Sequence, residues 1–273
     1  MRVMSKKQKI VGITVFAVLV AVLLVGIVLT GSPAEKDESV KEVMRDAVLH
    51  ETNKVSLFGM AVNPGLIAAF CVTGILFVFS LAVRLFVIPR FREIPGKFQL
   101  LLEEAVGFFD RLAQTNSPHR PKFLGAYVFA AGCYVFISTL FELFGFQAIG
   151  IRGNPISLPA PLSDINGAIA LGVLSYGVIL FGGLAAAGFS GMFKALKDFS
   201  LPISMSFRLF GALLSGALVT ELVYYYTALS FVLPVFVGVM FTLLHALIQT
   251  YVLTMLTTIF YGESTEKKIH GGK

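Results

Sequence analysis

Four uncharged, predominantly apolar runs, Ile10 to Leu29, Val55 to Val83, Ile165 to Phe193 and Leu222 to Gly262, constrain what this chain can fold into more than any other feature. Each is as long as the roughly 20 residues that an α-helix needs to cross the hydrocarbon core of a bilayer. The last is about twice that length, so it holds a turn and parts of two helices. Composition agrees, because 56% apolar and 14% charged residues leave too little charge to cover a soluble surface. The expected fold class is all-α: a polytopic membrane helical bundle with a long, tilted antiparallel helix pair at its C-terminal end.

The net charge of +6 could point to nucleic acid, but the basic residues are not gathered on one surface with aromatic residues between them, and no nucleic-acid partner is expected. Cys71 and Cys133 both lie in apolar runs, which excludes a disulfide framework, and no metal-ligand spacing exists. Neither a metal nor a cofactor is expected.

The basic residues read instead as topology markers. Arg2, Lys6, Lys7 and Lys9 precede Ile10 to Leu29, so residues 1–31 are either a retained membrane anchor or a cleaved signal. The length of the run favours the anchor, and in both cases the polar segment 32–62 is delivered outside. A span from Asn63 to Ile88 then ends in Arg84, Arg90, Arg92 and Lys97, which places that end in the cytoplasm. Pro95 to Ser117 is expected to form an amphipathic helix along the inner face, with Phe98, Leu101, Leu102, Ala105, Phe109 and Leu112 at helical spacing. Further spans are Phe123 to about Gly150, Ile165 to Phe193 with Lys194 and Lys197 at its inner end, about Leu201 to Tyr226, and about Phe231 to Tyr261. The membrane domain is thus 63–262, followed by a cytoplasmic tail, 263–273.

Charges inside such helices cost about 2.5 to 3.5 kcal/mol each, so each needs a compensating role. Glu142, Asp164, Arg208 and Glu221 are the charged candidates, and His245 and Gln249 add polar groups to the longest uncharged run. If the last two spans turn near residues 228 to 229, Arg208 and Gln249 each lie about 20 residues from the turn, share one depth at ~1.5 Å per residue and are expected to face each other, close enough for a direct or water-bridged contact. By the same count His245 sits level with Ala212, about 6 Å nearer the outside, and Glu221 lies about 11 Å from the outer end. The carboxylates therefore gather in the outer third. At about 100° per residue, Ser215, Ala212 and Gly211 fall within about 60° of Arg208, a small-residue face that allows close approach. Glu221 is about 140° away and does not pair with Arg208 on its own helix. An Arg that cannot deprotonate and has no acid on its face points to an anion on another chain. Alternatives stay open: an internal ion pair of Arg208 with Glu142 or Asp164, a plain helix N-cap at Asp164, a packing role for His245, and snorkelling of Glu221 and Glu142.

Leu201-Pro-Ile-Ser-Met-Ser-Phe-Arg208-Leu-Phe-Gly211 resembles the signature of subunit a of the F-type ATP synthase. Pro95-Gly-Lys-Phe-Gln99 with Glu103 and Phe108, Ser163-Asp164-Ile-Asn166, and Gln249 to Tyr261 resemble that family's second helix, a helix-opening motif and its last helix, so the likeness runs from Asn63 to Tyr261. The resemblance implies a non-catalytic, ion-translocating stator in a bacterial-type plasma membrane, with two offset half-channels beside a ring of c subunits. Peripheral stalk b subunits, the remaining synthase subunits and the lipid bilayer would be its other partners. It further implies that Arg208 attracts the ring carboxylate and blocks a direct leak, that Gln249 orients Arg208, and that Glu142, Asp164, Glu221 and His245 line or tune the entry path. Gly211, Ala212 and Ser215 would face the ring. The sequence departs from the family at Ala212, where many members have Asn, at Ala217, where Glu or His is common, and in a short stretch from Phe193 to Leu201. A stand-alone transporter is the competing function class, but such proteins commonly carry inverted repeats, and none is visible.

Overall fold

The computed structural model describes residues 55–57, 60–118, 121–149, 155–225 and 233–266, with a few positions before residue 46. Its helices are α1 (Pro64–Ala82), α2 (Lys97–Asn116), α3 (Pro121–Phe144), α4 (Ile165–Lys197), α5 (Ser200–Tyr225) and α6 (Leu233–Thr265). Two short antiparallel hairpins join them: β1 (Val55–Leu57) with β2 (Met60–Val62), and β3 (Gln147–Ile149) with β4 (Pro155–Ser157). Pro64–Arg90, Lys122–Phe144, Ile165–Ala187, Ser200–Thr220 and Val237–Thr265 are long and apolar enough to cross a membrane. The chain is thus an all-α polytopic membrane bundle. Most of the anchor-or-signal run 10–29, the turn expected at 228 to 229 and the tail beyond residue 266 lie outside the described residues.

Local chemistry sets the helix ends. The Asn63 side chain accepts a hydrogen bond from the Gly65 backbone N–H (3.1 Å), and Pro64 opens α1 where no N–H is needed. At the other end Pro89 has no N–H to give and its ring crowds the carbonyl four residues earlier. The helix accordingly widens to a π turn over Val83–Val87 and tightens to a 3-10 turn over Ile88–Arg90. The amphipathic helix forms as α2, but only the C-terminal part of its apolar stripe is engaged. Phe98 and Leu101 remain 49% and 66% exposed, whereas Ala113 is buried and the Phe109 ring meets Phe129 of α3 edge-on at 5.8 Å.

Two expected boundaries are wrong. The span expected from Phe123 to about Gly150 ends at Phe144, and Gln147–Ile149 is a strand beyond it. The run Ile165 to Phe193 was expected to be a single crossing, yet its crossing segment ends at Ala187 and the chain turns back at Gly188, where φ is 64° and ψ is −150°. That conformation is essentially restricted to glycine. The short return segment packs on the helix that it leaves, with the Tyr176 hydroxyl donating to the Ala195 carbonyl at 3.2 Å. A Cβ on Gly183 would stand 2.9 Å from the Gly191 carbonyl oxygen, so the pair has no room for side chains. Hydropathy missed the reversal because Ala185 to Gly191 is as free of charge as the span before it.

The chain divides into two compact units. The larger, Thr52–Leu214 with Thr242–Lys273, has a core of Leu124, Val128 and Val135 from α3, Leu171 and Ile179 from α4, Met205 and Leu209 from α5, and Leu253 and Tyr261 from α6. The smaller, Met1–Glu51 with Ser215–Phe241, holds the rest of α5, where the Thr220 hydroxyl donates to the Gly216 carbonyl (2.9 Å) and Val223 is buried. Gly188→Ala is expected to destabilise the larger unit by about 1–3 kcal/mol through left-handed strain. Unfolding of the detergent-purified chain measures this, and an unchanged midpoint would remove the kink from the account.

Candidate functional site

Helix α5 has two faces. Leu201, Met205, Leu209 and Leu213 recur every fourth residue and are buried, between 1% and 7% exposed. This stripe fixes the rotation of the helix against α4, where a Cβ on Gly172 would collide with Ser206 and stand 2.9 Å from the Pro202 carbonyl oxygen. The Ser206 hydroxyl donates back to that same carbonyl at 2.7 Å, which satisfies it inside the contact. With the leucine stripe held inwards, Ser204, Phe207, Arg208 and Gly211 are exposed. A Cβ at Gly211 would meet nothing within 4 Å.

Arg208 therefore sits on an open, small-residue face of an apolar span. Among the described residues its guanidinium has no hydrogen bond and no ion pair, in contrast to Arg111, which is bound to Glu104 at 2.6 Å. The internal pairing of Arg208 with Glu142 or Asp164 that the sequence left open is absent among the described residues. Chemically the site offers a permanent cation with five donors that can form a fork on a carboxylate.

Gln249 is placed differently. It lies on the buried stripe of α6, 6% exposed, in line with Thr242, Ala246, Leu253 and Thr257. No hydrogen bond joins it to Arg208 among the described residues. His245, one turn earlier, is half-buried and engaged in an interaction of its own. Glu142 is half-buried in the last turn of α3, and its carboxylate makes no hydrogen bond or ion pair among the described residues.

Asp164 is an N-cap. Its carboxylate accepts from the Asn166 backbone N–H at 3.0 Å and from the Asn166 side-chain amide at 3.2 Å, at the mouth of α4. Its Cβ also lies 3.2 Å from where a Cβ on Gly65 would be, so the first turns of α1 and α4 meet there. Ala212 and Ser215 each make an interaction of their own, Ser215 belongs to the smaller unit, and the Glu221 side chain lies outside the described residues.

The sequence reading missed the polar contacts that hold these elements together. Tyr127 and Ser175 share a hydrogen bond of 2.8 Å between α3 and α4, and the Asn116 amide at the end of α2 donates to the Thr258 hydroxyl of α6 at 3.1 Å. Hydroxyls at helical spacing along α6 were the available signal.

With this geometry in place, comparison with known proteins is decisive. The family model for the ATP synthase A chain matches residues 66–262, from the first turn of α1 to the last turn of α6. The chain belongs to that family. Subunit a of the Haemophilus ducreyi ATP synthase is 27% identical over 209 residues, covering 65% of this chain and 79% of the relative. The Pasteurella multocida subunit a is 26% identical over 230 residues, 71% of this chain and 87% of the relative. The Propionigenium modestum protein, named as sodium ion specific, is 26% identical over 202 residues, 65% of this chain and 69% of the relative. The matched segment thus reaches all five of the apolar spans, and Arg208 lies inside it.

The unpaired state of Arg208 has a direct consequence for stability. Arg208→Ala is expected to change the unfolding free energy of the purified chain by no more than about 0.5 kcal/mol, as for a surface residue without partners. Tyr127→Phe, which removes the Ser175 bond, is expected to cost about 1 kcal/mol. The reverse order in a denaturation titration would mean that Arg208 has an internal partner after all.

Proposed function

We propose that this chain is the ion-translocating stator subunit of a rotary F-type ATP synthase, built into a bacterial plasma membrane with its C-terminus in the cytoplasm. It does no ATP chemistry, which belongs to other subunits. The observation that carries the reading is Arg208, a cation without a partner among the described residues, on an exposed face beside Gly211 of a helix apolar enough to cross a membrane. Placing a charge there costs about 2.5 to 3.5 kcal/mol, a cost offset when an anion from a neighbouring chain comes alongside. A ring of c subunits supplies that anion as one carboxylate after another.

In this mechanism an ion enters from outside and neutralises a ring carboxylate, which can then leave the guanidinium and turn into the lipid. After nearly a full turn the carboxylate meets the inner half-channel, releases its ion and is drawn to Arg208. Since Arg cannot deprotonate, no ion passes directly from one half-channel to the other. Gly211, Ala212 and Ser215 allow the ring to pass closely. Gln249, rigid in its buried stripe, orients the guanidinium when the ring is seated. Glu142, Asp164, Glu221 and His245 line or tune the entry path, and the choice between H⁺ and Na⁺ rests with the ring site. Peripheral stalk b subunits hold the chain against the torque. The segments 1–31, 32–62, 63–262 and 263–273 serve as anchor or signal, external segment, membrane domain and cytoplasmic tail.

Arg208→Ala and Arg208→Lys are both expected to abolish ion-driven ATP synthesis in membrane vesicles while leaving the complex assembled. The Lys variant fails because a single ammonium lacks the planar fork and can lose its proton when desolvated. Normal synthesis with either variant would overturn the assignment. Glu221→Gln is expected to slow synthesis and shift its dependence on external pH or Na⁺ without abolishing it, and an unchanged dependence would return the residue to the membrane interface.

Asp164 needs a variant that separates its two roles. Asp164→Asn keeps an N-cap acceptor and removes the charge, so a cap alone predicts normal synthesis, whereas a carboxylate of the entry path predicts slowed synthesis at unchanged stability.

A further inference from the structure

The return segment and α5 form one interrupted strut along α4. The segment from Phe189 to Lys197 packs on α4 at Gly183 and Tyr176, and α5 packs on it at Gly172. At about 100° per residue these three positions of α4 lie within about 40° of one another, so both pieces run along the same side of that helix. Between them the helix stops at Asp198, whose φ of −95° and ψ of 37° are not helical, and the Leu201 N–H donates to the Asp198 carbonyl at 2.9 Å where α5 begins.

At this break, against the last turns of α6, lies a pocket of about 240 Å³. Tyr176 of α4, Lys194 and Asp198 of the return segment and its end, Leu201 of α5, and Phe260 and Glu263 of α6 line it. Lys194 and Asp198 are half-buried, while Glu263 and the neighbouring lining residue Lys197 are exposed. Among the described residues none of these four charges forms an ion pair, and the Asp198 and Glu263 carboxylates accept no hydrogen bond. Lys194 is engaged through Nζ, which donates to the Glu266 carbonyl at 2.7 Å. Half-buried charges that the protein leaves unpaired need water, and the volume is well above the ~15 Å³ that admits one molecule.

The place of the pocket relative to Arg208 decides what it can serve. A stripe that recurs every fourth residue drifts by about 40° per step, so its first member, Leu201, stands only about 20° from the direction of Arg208 and about 10 Å further along the axis. On α6 Phe260 stands about 20° from the direction of Gln249 and about 16 Å beyond it, towards Glu263. The pocket thus lies on the side of α5 that carries Arg208 and the side of α6 that carries Gln249, between their level and the end of the bundle where Lys194 and Lys197 stand.

We infer that this pocket is the water-filled inner end of the ion path, through which a cation released beside Arg208 leaves towards the cytoplasm. The direction of flow rests on the rotary reading, whereas the hydration follows from the lining alone. A compact anion is the other chemistry that two lysines could attract, but Lys194 is committed to a carbonyl and two free carboxylates line the same space. The stretch from Phe193 to Leu201, short for the family, itself supplies a wall of the inner half-channel.

The test uses the assembled complex in inside-out membrane vesicles, with Cys71→Ala and Cys133→Ala removing the two native thiols. Leu201→Cys, Phe260→Cys and, as a buried control away from the pocket, Val128→Cys are each exposed to a membrane-impermeant cationic methanethiosulfonate from the cytoplasmic side. Leu201→Cys and Phe260→Cys are expected to react and then to lose most of their ion-driven ATP synthesis, while Val128→Cys stays unlabelled. Failure of both to react, reaction at Val128→Cys as fast as at the pocket, or reaction without loss of synthesis would each overturn the inference. Where one pocket variant does not assemble, the other decides. Arg208→Ala in the same vesicles separates the two readings: if it abolishes synthesis while labelling of the pocket does not, the exit path falls and the rotary reading stands. Normal synthesis by Arg208→Ala would remove both.

Discussion

Helices surrounded by hydrocarbon gain little from burying apolar side chains against one another, so this bundle depends on close approach and on hydroxyls that satisfy themselves. Helix α6 shows both. The Thr254, Thr257, Ser264 and Thr265 hydroxyls donate to carbonyls of their own helix three or four residues earlier, which lets them sit buried, and Ser264 also reaches the Ile179 carbonyl of α4 at 3.3 Å. The contacts along this helix are made at glycines, on α6 itself and on the elements that face it. Gly132 receives Phe109 and Thr254, Gly182 receives the ring of Tyr261, and Gly262 abuts the Asn116 carbonyl. Exchanging one of these glycines for alanine would force apart the helices that hold α6, and Gln249 is held on α6.

That seam also explains which features the sequence revealed. Spans were readable because the absence of charge over some 20 residues has only one common cause. The caps at Asn63 and Asp164 were readable in kind, since Asn and Asp before an apolar run are ordinary N-cap residues. The reversal at Gly188 was not, because a turn made by glycine inside an apolar stretch leaves no trace in hydropathy, and nothing in Ala185 to Gly191 marks the point of return. The stripe on α2 misled in another way. Helical spacing identified Phe98 and Leu101 correctly as one face with Phe109, but periodicity cannot tell a face that meets protein from one that meets lipid, and these two stay exposed.

For the candidate site the division is sharper. The chemistry of Arg208 followed from its type and its place in an apolar span, but whether it pairs with Glu142 or Asp164 did not, because an acid on another helix leaves no mark on the face of its own. The geometry of Gln249 did not follow from counting. Equal distance from a turn fixes depth along two helices but not their rotation, and rotation is set by the stripes Leu201, Met205, Leu209, Leu213 on α5 and Thr242, Ala246, Leu253, Thr257 on α6. These stripes put Arg208 on an exposed face and Gln249 on a buried one.

The chain thus leaves two kinds of surface uncovered, and their chemistry differs in a way that bears on what each meets. The exposed side of α5 carries Ser204, Arg208 and Gly211, with Ile203 and Phe207 as its large residues. The guanidinium on that side offers its five donors to any carboxylate brought alongside. The face of α1 carries Phe70, Phe77, Phe79 and Phe86, all more than half exposed. Large, irregular aromatic surface of that kind would catch on a moving protein, but fluid acyl chains conform to it.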